Sequence, residues 1–148
     1  MFINGEWVDA GSGATFDVTN PATGEVIGAV PDGGSDDAIA AVAAADTAFG
    51  PWSQTTAYER ADVLYRAWQL MTERSVELAE LMTREQGKPL KASAAEVKYG
   101  ADFLRWYAEE AKRVAGEWLP SARADQRFLV LKQPVGVVAA ITPWNYPC

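Results

Sequence analysis

Val135-Gly136-Val137-Val138-Ala139-Ala140-Ile141 is an unbroken apolar run that leads directly into Thr142-Pro143-Trp144-Asn145-Tyr146-Pro147. A continuous apolar run of this kind, entered through Pro134, predicts a central strand covered on both faces. Two prolines then bracket a Trp-Asn pair. In open α/β sheets, ligands bind just outside the carboxyl ends of the strands. Asn145 is thereby expected where a ligand would sit, on a loop stiffened by Pro143 and Pro147. Taken alone, an Asn beside Pro is also an ordinary turn residue.

Upstream of Pro134, Phe128-Leu129-Val130-Leu131 reads as a short strand between Arg127 and Lys132. Before it, Ala94, Val97, Ala101, Leu104, Ala108 and Ala111 step by three and four along one helix face, and Tyr99, Phe103 and Trp106 form a second stripe. Two stripes predict a helix buried on two sides, ending at Gly116 and Pro120. Further back, Ser75 starts a helix carrying Leu78, Leu81 and Met82 that Gly87 and Pro89 close. Thr56-Ala57-Tyr58-Glu59 matches a capping box ahead of the stripe Leu64, Ala67, Trp68 and Met71. Ser35 is expected to cap a first helix bearing Ile39, Val42 and Ala43, with Gly50-Pro51 ending it. The opening is β: Asn4-Gly5 supplies a hairpin turn between Phe2-Ile3 and Trp7-Val8. Phe16-Asp17-Val18 and Val26 to Val30 flank the turn Asn20-Pro21-Ala22-Thr23-Gly24.

The 148 residues carry a net charge of −7, 49% apolar residues, one Cys and no His. The apolar content permits a sizeable core. The acidic balance argues against nucleic acid and anionic membranes, which need clustered Lys and Arg. Without His, the commonest metal ligand and general base are missing. Met1 to Trp7 shows no basic segment followed by an apolar one, and no apolar run approaches roughly 18 residues. With a single thiol, these features lead to the expectation of a cytoplasmic protein.

Ala140-Ile141-Thr142-Pro143-Trp144-Asn145-Tyr146-Pro147 resembles the proline-tryptophan-asparagine signature of the aldehyde dehydrogenase superfamily. Phe2 to Val8 and Asn20-Pro21-Ala22-Thr23-Gly24-Glu25 are similar to its opening strands. Glu85-Gln86-Gly87-Lys88-Pro89 resembles its helix-ending turn, and Gln133-Pro134-Val135-Gly136-Val137 its entry into the first strand of the cofactor fold. Met82 to Pro89 and Tyr107 to Arg113 look most like bacterial succinate-semialdehyde dehydrogenases.

The resemblance implies an α/β chain: the N-terminal part of a Rossmann-like cofactor domain with short antiparallel β segments, several helices and an oligomerisation β arm. Residues 1–115 would begin the cofactor-binding domain, 116–134 would form the arm, and 135–148 would be the first core strand and its loop. It also implies NAD or NADP as cofactor, a small aldehyde as substrate, and a homodimer or homotetramer at full length. In the family's chemistry a thiolate attacks the aldehyde, the resulting oxyanion expels hydride to the nicotinamide, and a thioester is hydrolysed. By resemblance, Asn145 is the donor that stabilises the oxyanion, while Ile141, Thr142, Pro143 and Trp144 line the cofactor cleft. The nucleophilic Cys, the water-activating acid, the cofactor-binding Lys and the glycine turn are expected beyond residue 148. The 148 residues alone are accordingly expected to be inactive.

Other residues take plainer readings. Cys148 has no activating base in view and reads as structural. Lys88, between Gly87 and Pro89, reads as a solvated helix end rather than a phosphate binder. Thr19 and Glu85 fall where some family members hold a monovalent cation, but a cap or a surface charge is the simpler role. The competing reading of the whole chain is a non-catalytic binding or oligomerisation protein derived from such an enzyme.

Overall fold

A computed structural model describes all of residues 1–148. Its elements run β1 (Phe2–Ile3), β2 (Glu6–Trp7), β3 (Thr15–Thr19), β4 (Val26–Pro31), α1 (Ser35–Ser53), α2 (Ala57–Glu73), α3 (Ser75–Gln86), α4 (Leu90–Glu110), a 3-10 turn (Ala111–Arg113), β5 (Glu117–Pro120) and β6 (Arg127–Val130). The strands form three separate antiparallel pairs: β1 with β2, β3 with β4, and β5 with β6. Asn4 and Gly5 both adopt positive φ, 54° and 81°, as the tight first hairpin requires.

The helices behave as their local chemistry dictates, with instructive exceptions. The Thr56 N–H donates to Glu59 Oε2 at 2.7 Å while the Glu59 N–H donates to Thr56 Oγ1 at 3.2 Å, completing the capping box of α2. At the start of α1, Gly34 rather than Ser35 is the cap, and Asp37 accepts from the Gly34 and Gly11 N–H groups at 2.9 Å each. That carboxylate sits at the positive end of the helix and ties it to the preceding loop. Gly50-Pro51 does not end α1. Pro51 lies inside its last turn, where Ser53 Oγ donates to the Gly50 carbonyl at 2.8 Å and the Gln54 N–H to that of Pro51 at 3.2 Å. These bonds close the turn despite the missing proline N–H.

The core lies where α2, α3 and α4 meet, built on Ala79, Met82 and Val97 with Met71 and Leu78 packed against them. Ala61, Ser93, Ala101 and Ala108 are also buried, so small side chains let the three helices approach closely. Gly87 ends α3 at φ +74°, and a Cβ there would stand 2.9 Å from Pro21 Cγ, so the turn after α3 is packed against the β3–β4 turn. This fixes the segment 86–88 on which the site below depends.

Two expectations are corrected. The second stripe of α4 is not buried: Tyr99, Phe103 and Trp106 are exposed, because the rest of the 148 residues leaves that face largely uncovered. Residues 135–141 are not a covered central strand. They pair with no other strand, and Val135 and Ile141 are 92% and 100% exposed. A strand exists through its ladder of hydrogen bonds, and none of the six strands lies alongside this run.

Candidate active site

The loop 142–148 lies across the junction between the end of α3 and the first half of α4. It forms one side of an open cleft of 960 Å³, with Thr142, Pro143 and Asn145 facing Lys88, Glu96 and Tyr99. Three side chains grip its backbone. Gln86 Nε2 donates to the Trp144 carbonyl at 2.6 Å. Lys88 Nζ donates to the Asn145 carbonyl at 2.8 Å. Glu96 Oε1 accepts from the Cys148 N–H at 3.2 Å. Lys88 also pairs with the Glu96 carboxylate and stands over the Tyr146 ring, 4.3 Å from its centroid.

Glu96 belongs to the buried face of α4, beside Ser93 and Val97. Its side chain is only 2% exposed and that of Lys88 only 18%, so each charge depends on the other for compensation. The expectation of Lys88 as a solvated helix end is therefore overturned. Helix α3 stops at Gly87 and Pro89 opens α4, which turns the intervening Lys88 inward toward Glu96. Gly100, one turn after Glu96, carries no side chain where a Cβ would stand 3.3 Å from the Cys148 backbone. The absence of a side chain lets α4 and the loop come this close.

The sequence-predicted residues are distributed unevenly over this geometry. Thr142, Pro143 and Asn145 line the cleft, whereas Ile141 and Trp144 (86% exposed) do not. The Asn145 amide points to no partner within the chain, and its only fixed polar group is the backbone carbonyl held by Lys88. Cys148 is no activated thiol. Burial first, and the Glu96 carboxylate second, push its pKa up, against a smaller opposing effect from Lys88. Glu85 stays on the surface. Sequence reasoning missed Gln86, Glu96 and Tyr146. The one signal for Glu96 was a carboxylate at a helical position between Ser93, Val97 and Gly100, all on an otherwise apolar or small face.

Comparison with known proteins adds to this geometry. The family model for the aldehyde dehydrogenase family matches residues 7–148. The chain is 53% identical over 146 residues to a glutarate-semialdehyde dehydrogenase of Pseudomonas putida, covering 99% of this chain and 30% of that protein. It is 52% identical over 145 residues to the NADP-dependent succinate-semialdehyde dehydrogenase of Escherichia coli, covering 98% and 30%. A crystal structure of an NADP-dependent enzyme of E. coli superposes with a TM-score of 0.96 at 51% identity, over 99% of this chain and 30% of that one. The chain thus spans about 30% of the length of the relatives it matches.

Proposed function

The chain belongs to the aldehyde dehydrogenase family, and we propose that it is the N-terminal part of an NAD(P)-dependent, cytoplasmic enzyme that oxidises a carboxylate-bearing aldehyde to the acid. Succinate semialdehyde is the first candidate substrate, because a relative 52% identical to the chain is named for it. The observation that carries the reading is Asn145: its backbone is held from below while its amide is left uncommitted beside the cleft.

The residues of the loop fit a dinucleotide. Thr142 offers a hydroxyl within the cleft, and Ile141 and Trp144, outside it, present apolar surface suited to flat rings. Ile141, Thr142, Pro143 and Trp144 are assigned to hold it; when bound, NAD or NADP supplies the two-electron acceptor. Asn145 acts on the substrate side. A thiolate adding to the aldehyde carbonyl leaves an oxyanion, and Asn145 Nδ2 donates to that oxygen. A fixed, uncharged amide stabilises the anion without taking up or releasing a proton, and such donors contribute about 2.7–4 kcal/mol. The thiolate is assigned to a Cys other than Cys148, whose pKa is pushed up by desolvation and by Glu96. It gives a thiohemiacetal and then a thioester, which water cleaves to the carboxylate.

We also assign the β5–β6 hairpin to subunit contacts in a homodimer or homotetramer. Both strands are exposed, and Trp118, Phe128, Leu129 and Leu131 carry apolar surface on an otherwise isolated pair. Turnover by the full-length enzyme, measured on succinate semialdehyde and on an uncharged aldehyde of equal length with NAD and with NADP, tests the reading. A kcat/KM that favours the semialdehyde supports it, and absence of oxidation of either aldehyde refutes it.

A further inference from the structure

The oxyanion reading uses the amide of Asn145 and leaves the ion pair beneath the loop without a role. Lys88 and Gln86 hold the carbonyls of Asn145 and Trp144. Each carbonyl belongs to a different rigid peptide plane, and the two planes flank the Asn145 Cα. Fixing both planes fixes φ and ψ of Asn145, and hence the direction of its Cβ. Glu96 completes the arrangement. One carboxylate oxygen pairs with Lys88 and the other accepts the Cys148 N–H at 3.2 Å, which holds the far end of the loop. The anchors stand on the end of α3 and on α4, elements locked by the buried Met82 and Val97.

We propose that Lys88, Gln86 and Glu96 are positioning residues that aim the Asn145 amide at the reacting oxygen by fixing the backbone on both sides of it; this rests on the oxyanion role of Asn145. The arrangement needs charge as well as shape. A hydrogen bond from an ammonium to a carbonyl is stronger than one between neutral groups. Burying that ammonium in turn requires the Glu96 carboxylate. Lys88 and Glu96 thus form one unit, and Gln86 is an independent second anchor. Oxyanion stabilisation depends on donor placement, and misplacing a group by about 1 Å costs on the order of 10²-fold in rate.

The test is a set of variants of the full-length enzyme: Lys88→Met, Lys88→Arg and Gln86→Met, with Lys88→Met and Gln86→Met also made on an Asn145→Ala background. Lys88→Met is expected to lower kcat by roughly 10- to 100-fold, with the aldehyde KM changed far less. Lys88→Arg, which keeps a charged donor, is expected to recover most of the loss. Gln86→Met is expected to lower kcat several-fold. On the Asn145→Ala background neither substitution should slow the enzyme further, because the group being aimed is gone. A loss that persists in full on that background overturns the proposal, since a general structural defect acts on both backgrounds alike. Lys88→Met leaves Glu96 buried and unpaired; if it does not fold, Gln86→Met decides alone. That substitution strands no charge and also removes Gln86 Oε1, which is buried without a partner. A slow Asn145→Ala enzyme beside a fast, folded Gln86→Met and Lys88→Met overturns the positioning role only. A fast Asn145→Ala enzyme overturns the oxyanion role and the positioning role with it.

Discussion

The ammonium of Lys88 donates to the backbone carbonyl of Asn145 at 2.8 Å, joining residues 57 apart in the chain, while its charge is compensated by the buried carboxylate of Glu96. The loop that carries the candidate catalytic amide is therefore seated on an ion pair that belongs to the helical core.

The cost of breaking that pair should show its burial. Glu96→Ala leaves Lys88 without its compensating charge, and such changes at buried pairs cost about 3–5 kcal/mol. The Lys98–Asp102 pair, on the same helix but with side chains 76% and 53% exposed, is the control. Asp102→Ala should shift stability by roughly 0.5 kcal/mol or less. Urea unfolding of the two full-length variants checks the contrast, and equal midpoints would show that the Lys88–Glu96 pair is solvated.

Acid should weaken the cap of α1 as the Asp37 carboxylate is protonated. Hydrogen bonds from the Gly34 and then the Gly11 N–H hold the Asp37 carboxyl below its usual value. A depressed folded pKa gives a contribution that is fully present above the unfolded value and is lost as pH falls through the folded one. Wild type should lose stability below the usual aspartate range more steeply than Asp37→Asn, which has no carboxyl to protonate there. Parallel acid-unfolding curves for the two proteins would remove this role.

Charge placed on the β5–β6 hairpin tests the arm. Leu129 and Leu131 are 65% and 68% exposed, so Leu129→Asp with Leu131→Asp costs the monomer little packing. Sedimentation of the full-length double variant should show a smaller species that is still folded. Retention of the oligomeric mass, or outright unfolding, counts against subunit contacts at this hairpin.

The 148 residues on their own should show no aldehyde oxidation with NAD or NADP. The pKa of their single thiol, Cys148, is pushed up by desolvation and by Glu96, and there is no His to activate it. Turnover that depends on Asn145 in the 148-residue chain would contradict this.

What could be read from the sequence was mostly what adjacent residues decide. The Asn4-Gly5 hairpin, the Thr56–Glu59 box and the Gly87 stop each depend on fewer than about five consecutive residues, and each formed as expected. The pattern of a polar residue between two prolines after an apolar run pointed to Asn145 as a ligand-facing position, and it lines the cleft; its oxyanion role rests on the family resemblance. No such pattern pointed to the support beneath it. Lys88 beside Gly87 and Pro89 looks like a free helix end until α4 brings Glu96 under it, and no local pattern encodes a partner eight residues on or a loop 57 residues on. Residues 135–141 mislead for the opposite reason. Their apolar content states what they need, a covered position between strands, and not whether that position is filled. The exposed Tyr99–Phe103–Trp106 stripe has the same cause. Pro51 failed as a stop signal because Ser53 and Gln54 supplied alternative bonds to the last turn.

Steady-state kinetics of full-length Asn145→Ala test the oxyanion role of this amide. The expected result is a kcat lowered by about 10²–10³ with an unchanged unfolding midpoint, as for loss of one donor to a developing anion. A folded Asn145→Ala enzyme with a kcat within a few-fold of wild type would contradict that role.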